Sequence, residues 1–285
     1  MKTSKNMMIA AVSIVLVAAV GAGAFAAFAL TRDSDDGPYT VAQMDADLKT
    51  TGEVVWAHRG GSAEFSEMTM HAYKSAVGLG CKVLEVSVWR SSDGVYIMSH
   101  DQTLTRVTGE TYDIPSTDSA TLLGLPVTAP VADGGVIGRL EDLLDAYGKD
   151  RVLVIDDKVA SNMDELTALV ESHYDTAVQA KEHVVWKGYG IDERAVQWEN
   201  DGYRTWSYFY NDEVNAITPQ QASERSYFGL NWDAPQANYD TLLAFGKPIV
   251  AHVIQSAEQA DEALSRGAVG LQSAVPSVTC KQTNK

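Results

Sequence analysis

Residues 54–101 read VVWAHRGG (54–61), SAEFSEMTMHAYKSAVGLG (62–80), CKVLEVSVWR (81–90) and SSDGVYIMSHD (91–101). A short β-rich run at 54–57 is followed directly by a turn with two glycines. A helical pattern occupies 67–78, and Gly80 closes it, as glycine commonly closes helices. A second β-rich run covers 83–88 and a third covers 95–98. Only Asp93-Gly94 and its neighbours separate those two, which is hairpin chemistry.

The alternation continues outward from this stretch. Strand candidates lie at 152–155, 184–187, 205–210, 227–230, 249–254 and 269–272. Helical patterns at 140–147, 163–173, 193–200, 239–245 and 258–265 separate many of them, and Gly202, Gly246 and Gly267 close three. Strands separated by amphipathic helices predict βα units and a parallel sheet. Nine candidates exceed by one the eight strands of a barrel. The surplus strand is either 95–98 or 227–230. The expected fold class is α/β: a (β/α)8 TIM barrel over 51–285, preceded by one N-terminal hydrophobic helix. The stretch 103–134 shows no convincing element, and long loops of that kind are often functional.

Composition limits the function classes. The chain has 285 residues, with 22 Lys+Arg against 38 Asp+Glu and a formal charge of −16. Nucleic acid is excluded as a partner, because no basic stripe is present to displace counterions. An apolar content of 45% with six Trp and twelve Tyr argues against disorder. A chain of this length buries a core without needing a disulfide framework.

Between Met7 and Leu30 there is no charged residue, and Ser13 alone is polar. As a helix this run spans roughly 36 Å, against roughly 30 Å for a bilayer core. Residues 1–30 are therefore expected to be a membrane anchor or a signal peptide. Length favours a single-pass anchor, whereas Ala24-Phe25-Ala26 suits signal cleavage and secretion. Lys2 and Lys5 stay in the cytoplasm, so the rest of the chain is expected outside it. Residues 31–50 read as a linker. Cys81 precedes a strand and Cys280 follows the last one, which places them at opposite ends of a barrel and argues against their pairing.

Chemically useful residues fall at strand ends. His58-Arg59-Gly60-Gly61 follows the first strand. Glu85 lies in the second, with Ser87 on the same face, and His100-Asp101 follows the third. Asp156 and Lys158 end the fourth. The C-terminal strand ends of an α/β barrel gather at one mouth, where active sites are built. Two imidazoles suit general acid and base work. Glu85 and Asp156 are hard oxygen donors suited to Ca2+ or Mg2+. Arg59 and Lys158 suit an anion. The set describes metal-assisted phosphodiester cleavage.

On these residues the chain resembles the glycerophosphodiester phosphodiesterase family. The pieces are Ala57-His58-Arg59-Gly60-Gly61, Glu67-Met68-Thr69, Leu84-Glu85-Val86-Ser87-Val88, the hairpin from Ser92 to His100-Asp101, and Val154-Ile155-Asp156-Asp157-Lys158. The resemblance is strong over residues 54–158 and weak beyond. It implies hydrolysis of glycerophosphodiesters to glycerol 3-phosphate and an alcohol with a divalent cation, Ca2+ or Mg2+. His58 and His100 become the acid–base pair. Glu85, Asp156 and Ser87 become the metal position, and Arg59, Lys158 and Glu67 contact substrate. Lys187, Trp206 and His252, with Trp186 and Tyr208, are expected to line the same mouth.

Two departures bear on activity. The family pattern has Asp where this chain has Ser87, so the metal site loses a charge. The outcomes are an active enzyme with weak metal affinity, recruitment of Asp157 or Glu67, or an inactive relative that binds glycerophosphate-type ligands. Asp157 points away from the site unless the strand end twists. His252 replaces a Trp on the seventh barrel strand and makes the alcohol-binding wall more polar. A phospholipase D-like enzyme of lipids is the further alternative. The expected partner is a small-molecule or lipid-derived phosphodiester, with the membrane engaged through the N-terminal helix.

Overall fold

The structure is a computed structural model, and it describes residues 37–50 and 54–280. The expected anchor or signal at 1–30 lies outside the described residues. Among those described, no helix is long and apolar enough to cross a membrane.

Nine strands form one sheet: β1 (Val54–Ala57), β2 (Val83–Arg90), β3 (Tyr96–Met98), β4 (Val152–Asp157), β5 (Val184–Tyr189), β6 (Arg204–Tyr208), β7 (Tyr227–Asn231), β8 (Ile249–Ile254) and β9 (Gly270–Ser273). Eight of them are parallel and close on themselves through β1–β2 and β1–β9, which makes a TIM barrel. The surplus strand is β3, paired antiparallel with β2 across the Asp93-Gly94 turn. Residues 227–231 are a barrel strand, which rules them out as the extra element.

Strand alternation divides the side chains cleanly. Trp56, Val83, Val152, Val154, Val185 and Trp206 share one core cluster inside the barrel. Leu84, Val86, Leu153, Ile155, Val184 and Trp186 belong to a second, facing the surrounding helices. Period-2 geometry requires this split. The helix Val41–Thr50 lies within the expected linker. It buries Val41, Met44 and Leu48 in the interior cluster, so the fold begins before residue 51.

The long stretch after β3 has a small core of its own. Leu104, Val107, Ile114, Leu122, Val127 and Ile137 pack on Ile97 around three short helical turns. Its apolar residues are too sparsely spaced for periodicity to reveal it.

Cys81 and Cys280 are bonded, with Cα atoms 5.2 Å apart. This corrects the expectation that barrel ends keep them apart. After β9 the chain does not stop at the mouth. It turns through the helix Pro276–Thr279, which packs beside the turn after β1, where Ser277 N–H donates to Glu64 at 2.9 Å. The return carries Cys280 into the outer cluster that holds Cys81.

Candidate active site

The turn after β1 is built by its glycines. Gly60 and Gly61 take φ of 79° and 101°, where a side chain is strained. A Cβ on Gly60 would lie 2.8 Å from Ala72 Cβ, and one on Gly61 2.6 Å from Pro276 Cγ. Arg59 also takes a left-handed φ of 52°, and Glu85 Oε2 holds it there by accepting its backbone N–H at 2.8 Å. His58 is buried, with Nδ1 3.2 Å from Ser62 Oγ. Burial, then the charges of Arg59, His252, Lys187 and His100, lower its pKa well below 6.5.

Register sets the middle of the site. Ser87 pairs with Asp156, Asp156 with Lys187 and Lys187 with Trp206, so four strands place these residues side by side on one interior layer. Lys187 Nζ lies 3.1 Å from Glu85 Oε1 and 3.0 Å from Asp156 Oδ2. Burial opposes its charge, but Asp156 and then Glu85 outweigh burial and raise its pKa. Asp156 Oδ2 also accepts from Lys158 Nζ at 2.8 Å, Tyr189 OH at 2.8 Å and Ser87 Oγ at 3.2 Å. Burial would raise the Asp156 pKa, but Lys187 and Lys158 hold the carboxyl far below its usual range.

His100 sits on the outer rim, with Nδ1 2.7 Å from Asp101 Oδ1. Burial and Arg59 lower its pKa, and the Asp101 hydrogen bond opposes them. Arg106 Nε donates to Asp101 Oδ2 at 2.5 Å and clamps Glu67 with two bonds of 2.6 and 3.1 Å. Arg59 reaches Glu67 at 3.2 Å. Glu67 lies in the turn before the helix Met70–Gly78, not on it, because Thr69 caps that helix by accepting from Ala72 N–H. It therefore holds the two arginines and is not available as a replacement metal ligand. Replacing Glu67 by Gln is expected to cost about 1–3 kcal/mol, since Arg59 loses its buried partner while Arg106 is half exposed. Chemical denaturation of that variant measures it, and an unchanged midpoint would contradict the bridging role.

On the opposite wall, the His252 ring lies 5.3 Å from His58 and 4.8 Å from Tyr208. Two expected lining residues are displaced. Trp186 points outward and stacks on Trp198 with centroids 4.9 Å apart, since it is one residue out of phase with Lys187. Trp206 is fully buried with Lys187 Nζ 5.3 Å over its ring, so it floors the site and does not line an open wall. Asp157 also faces outward and pairs with Arg194 at 3.3 Å. Sequence reading missed Tyr189 and Arg106. Tyr189 carried a signal, being two residues beyond Lys187 on the same strand face. Arg106 carried a weaker one, with Asp101 five residues before it, while its other partner, Glu67, comes from a separate turn.

The donor set does not fit a divalent cation. Both oxygens of Glu85 are occupied, by Arg59 N–H and by Lys187. Ser87 Oγ donates to Asp156, and Asp156 Oδ1 is the one carboxylate oxygen of this pair without a partner. Water and substrate phosphate supply some of the oxygens that Ca2+ or Mg2+ takes, but the ion still needs carboxylate oxygens free to face it. Among the described residues, no three acidic, imidazole or thiol side chains group as a metal site. The expected site of Glu85, Ser87 and Asp156 thus brings the residues together, but around the Lys187 ammonium.

A barrel with paired imidazoles, arginine and lysine at its strand ends defines a phosphoryl-handling class of protein, and comparison with known proteins agrees. The model of the glycerophosphoryl diester phosphodiesterase family matches residues 58–200, and the chain belongs to that family. Its members generally use a divalent cation. Lysophospholipase D GDPD3 of Mus musculus is 39% identical over 62 residues, covering 22% of this chain and 19% of that protein. The chain thus matches about a fifth of the length of the curated relatives. Among solved structures, a glycerophosphodiester phosphodiesterase of Thermotoga maritima shares the fold at a TM-score of 0.64 and 19% identity. That likeness covers 79% of this chain and 96% of that one. A phosphodiesterase of Oleispira antarctica, in complex with the product sn-glycerol-3-phosphate, matches at 0.62 and 18% identity, over 83% and 98%.

Proposed function

We infer that this chain hydrolyses glycerophosphodiesters to glycerol 3-phosphate and an alcohol, outside the cytoplasm. The observation that carries this reading is one chain of contacts that runs from His100 through Asp101, Arg106 and Glu67 to Arg59, next to His58, and on through Glu85 and Lys187 to Asp156 and Lys158. Family membership and the product held by the Oleispira antarctica protein support the substrate class. The apolar run at 7–30 and the Cys81–Cys280 bond support the location, since disulfides persist in oxidising compartments.

Arg59 and Lys158 hold the phosphodiester. His58, kept neutral by burial and by neighbouring positive charge, takes the proton of the attacking hydroxyl, from water or from the adjacent glycerol carbon. A new P–O bond forms as the bond to the leaving alcohol breaks. His100, oriented by Asp101, gives that alkoxide its proton. Attack by the glycerol hydroxyl leaves a cyclic phosphate, which water then opens with the two roles exchanged.

The pH dependence follows from this assignment. A base whose pKa lies below 6.5 stays functional at neutral pH and is lost only as acid protonates it. The acidic limb of kcat/KM is therefore expected below pH 6.5, and an acidic limb above neutrality would contradict the use of His58 as base.

Release of glycerol 3-phosphate from glycerophosphocholine by the full chain tests the reading. Absence of release from any glycerophosphodiester would favour a ligand-binding relative. That second reading is motivated by Ser87 and by the Lys187 bridge. The names of the mammalian relatives motivate a third, lipid-directed reading, which cleavage of intact lysophospholipids would support.

A further inference from the structure

We propose that the Lys187 ammonium is a built-in replacement for the divalent cation, so that this chain works without a bound metal. The chemical half of this inference rests on the phosphodiesterase reading, whereas the binding half does not.

Position comes first. Lys187 Nζ bridges Glu85 and Asp156, the two acidic residues at the base of the site, at 3.1 and 3.0 Å. Its side chain is 4% exposed. Its ammonium rests 5.3 Å over the Trp206 ring and 5.5 Å over the Tyr189 ring. Aromatic faces attract a cation, and here two of them flank it. The placement is built into the sheet, because Ser87, Asp156 and Lys187 are consecutive partners across β2, β4 and β5.

Charge comes second. Glu67, Glu85, Asp101 and Asp156 face Arg59, Arg106, Lys158 and Lys187 across the ion pairs of the site, four acids against four bases. The network is balanced before any ion enters. A divalent ion would add two uncompensated charges to a buried layer, where charge is costly. Residue 87 fits the same account. An aspartate there with a divalent ion would bring a net charge of plus one, and Ser87 with Lys187 brings the same. The serine and the lysine are thus a matched pair. An ammonium supplies fixed positive charge under the phosphate site, but it does not make hydroxide from bound water as a metal does. The proton of the nucleophile then falls entirely to the histidines.

Three measurements on the full chain test this. Thermal melts of the wild type with CaCl2, MgCl2 or MnCl2 are expected to show no stabilisation, and metal analysis of the purified protein a substoichiometric content. A cation-dependent rise of several degrees, or one bound divalent ion per chain, would overturn the proposal. The double variant Ser87→Asp with Lys187→Ala restores a third carboxylate and removes the ammonium. It is expected to gain the cation-dependent rise that the wild type lacks, and absence of that gain in a folded variant counts against the proposal. Should the variant fail to fold, the wild-type melts still decide. Hydrolysis of glycerophosphocholine is expected at the same rate with and without EDTA, and EDTA-sensitive hydrolysis overturns the proposal. Absence of hydrolysis in both conditions would sink the phosphodiesterase reading instead, and the melts would still answer the cation question.

Discussion

Alanine at His58 or at His100 is expected to lower glycerophosphodiester turnover about 100-fold or more, the usual scale of a lost general acid or base. The two losses arise differently. His58 is buried beside Arg59 and Lys187 and is held neutral, so its replacement removes the proton acceptor of the attack. His100 stands at the rim with Asp101 on Nδ1, so its replacement removes the donor to the leaving alcohol. Both belong to one proton circuit. The double variant is therefore expected to lose much less than the product of the single losses. Asp101→Asn should lower kcat less than His100→Ala while leaving KM near wild type, as befits a group that orients the ring. Initial rates of glycerol 3-phosphate release measure all four variants. Near-normal turnover in either single histidine variant would remove that residue from the mechanism.

Loss of the Cys81–Cys280 bond is expected to be the largest effect on stability. The bond closes a loop with a sequence separation of 199 residues. On the chain-entropy account such a long loop is worth about 5 kcal/mol, although measured values run from about 2 kcal/mol upward. For a domain of this size that corresponds to a fall of roughly 5–15 °C in Tm. Replacing both cysteines by serine, or melting the wild type under reducing conditions, should give the same shift. Both cysteines sit in the outer cluster and not in the interior layer. Turnover at a temperature where the variant stays folded is therefore expected to match wild type. An unchanged Tm would mean that the loop is already closed by other contacts.

Much of this arrangement is legible one residue at a time. The period of two that puts Glu85 and Ser87 on one face of their strand, and likewise Asp156 and Lys158, is a property of any strand. The hairpin at Asp93-Gly94 is equally local, and β3 forms there. The failures share a different origin. Adjacency in sequence groups Trp186 with Lys187, whereas adjacency in a strand means opposite faces. The helical pattern takes in Glu67, whereas Thr69 caps the helix two positions later. The strands that flank the cysteines set them apart, whereas the path of the chain between Ser273 and Cys280 brings them together.

The amino-acid sequence alone determined the βα alternation, the residue types at the strand ends and the family motifs, because each depends on a few neighbouring residues and their fixed backbone periods. Tertiary structure alone decided that Lys187 lies between Glu85 and Asp156, that Arg106 clamps Glu67, and that Cys81 meets Cys280. Strand register and the return path of the last helix bring together residues from up to 199 positions apart. Barrel closure and packing set those meetings, and no local pattern encodes them.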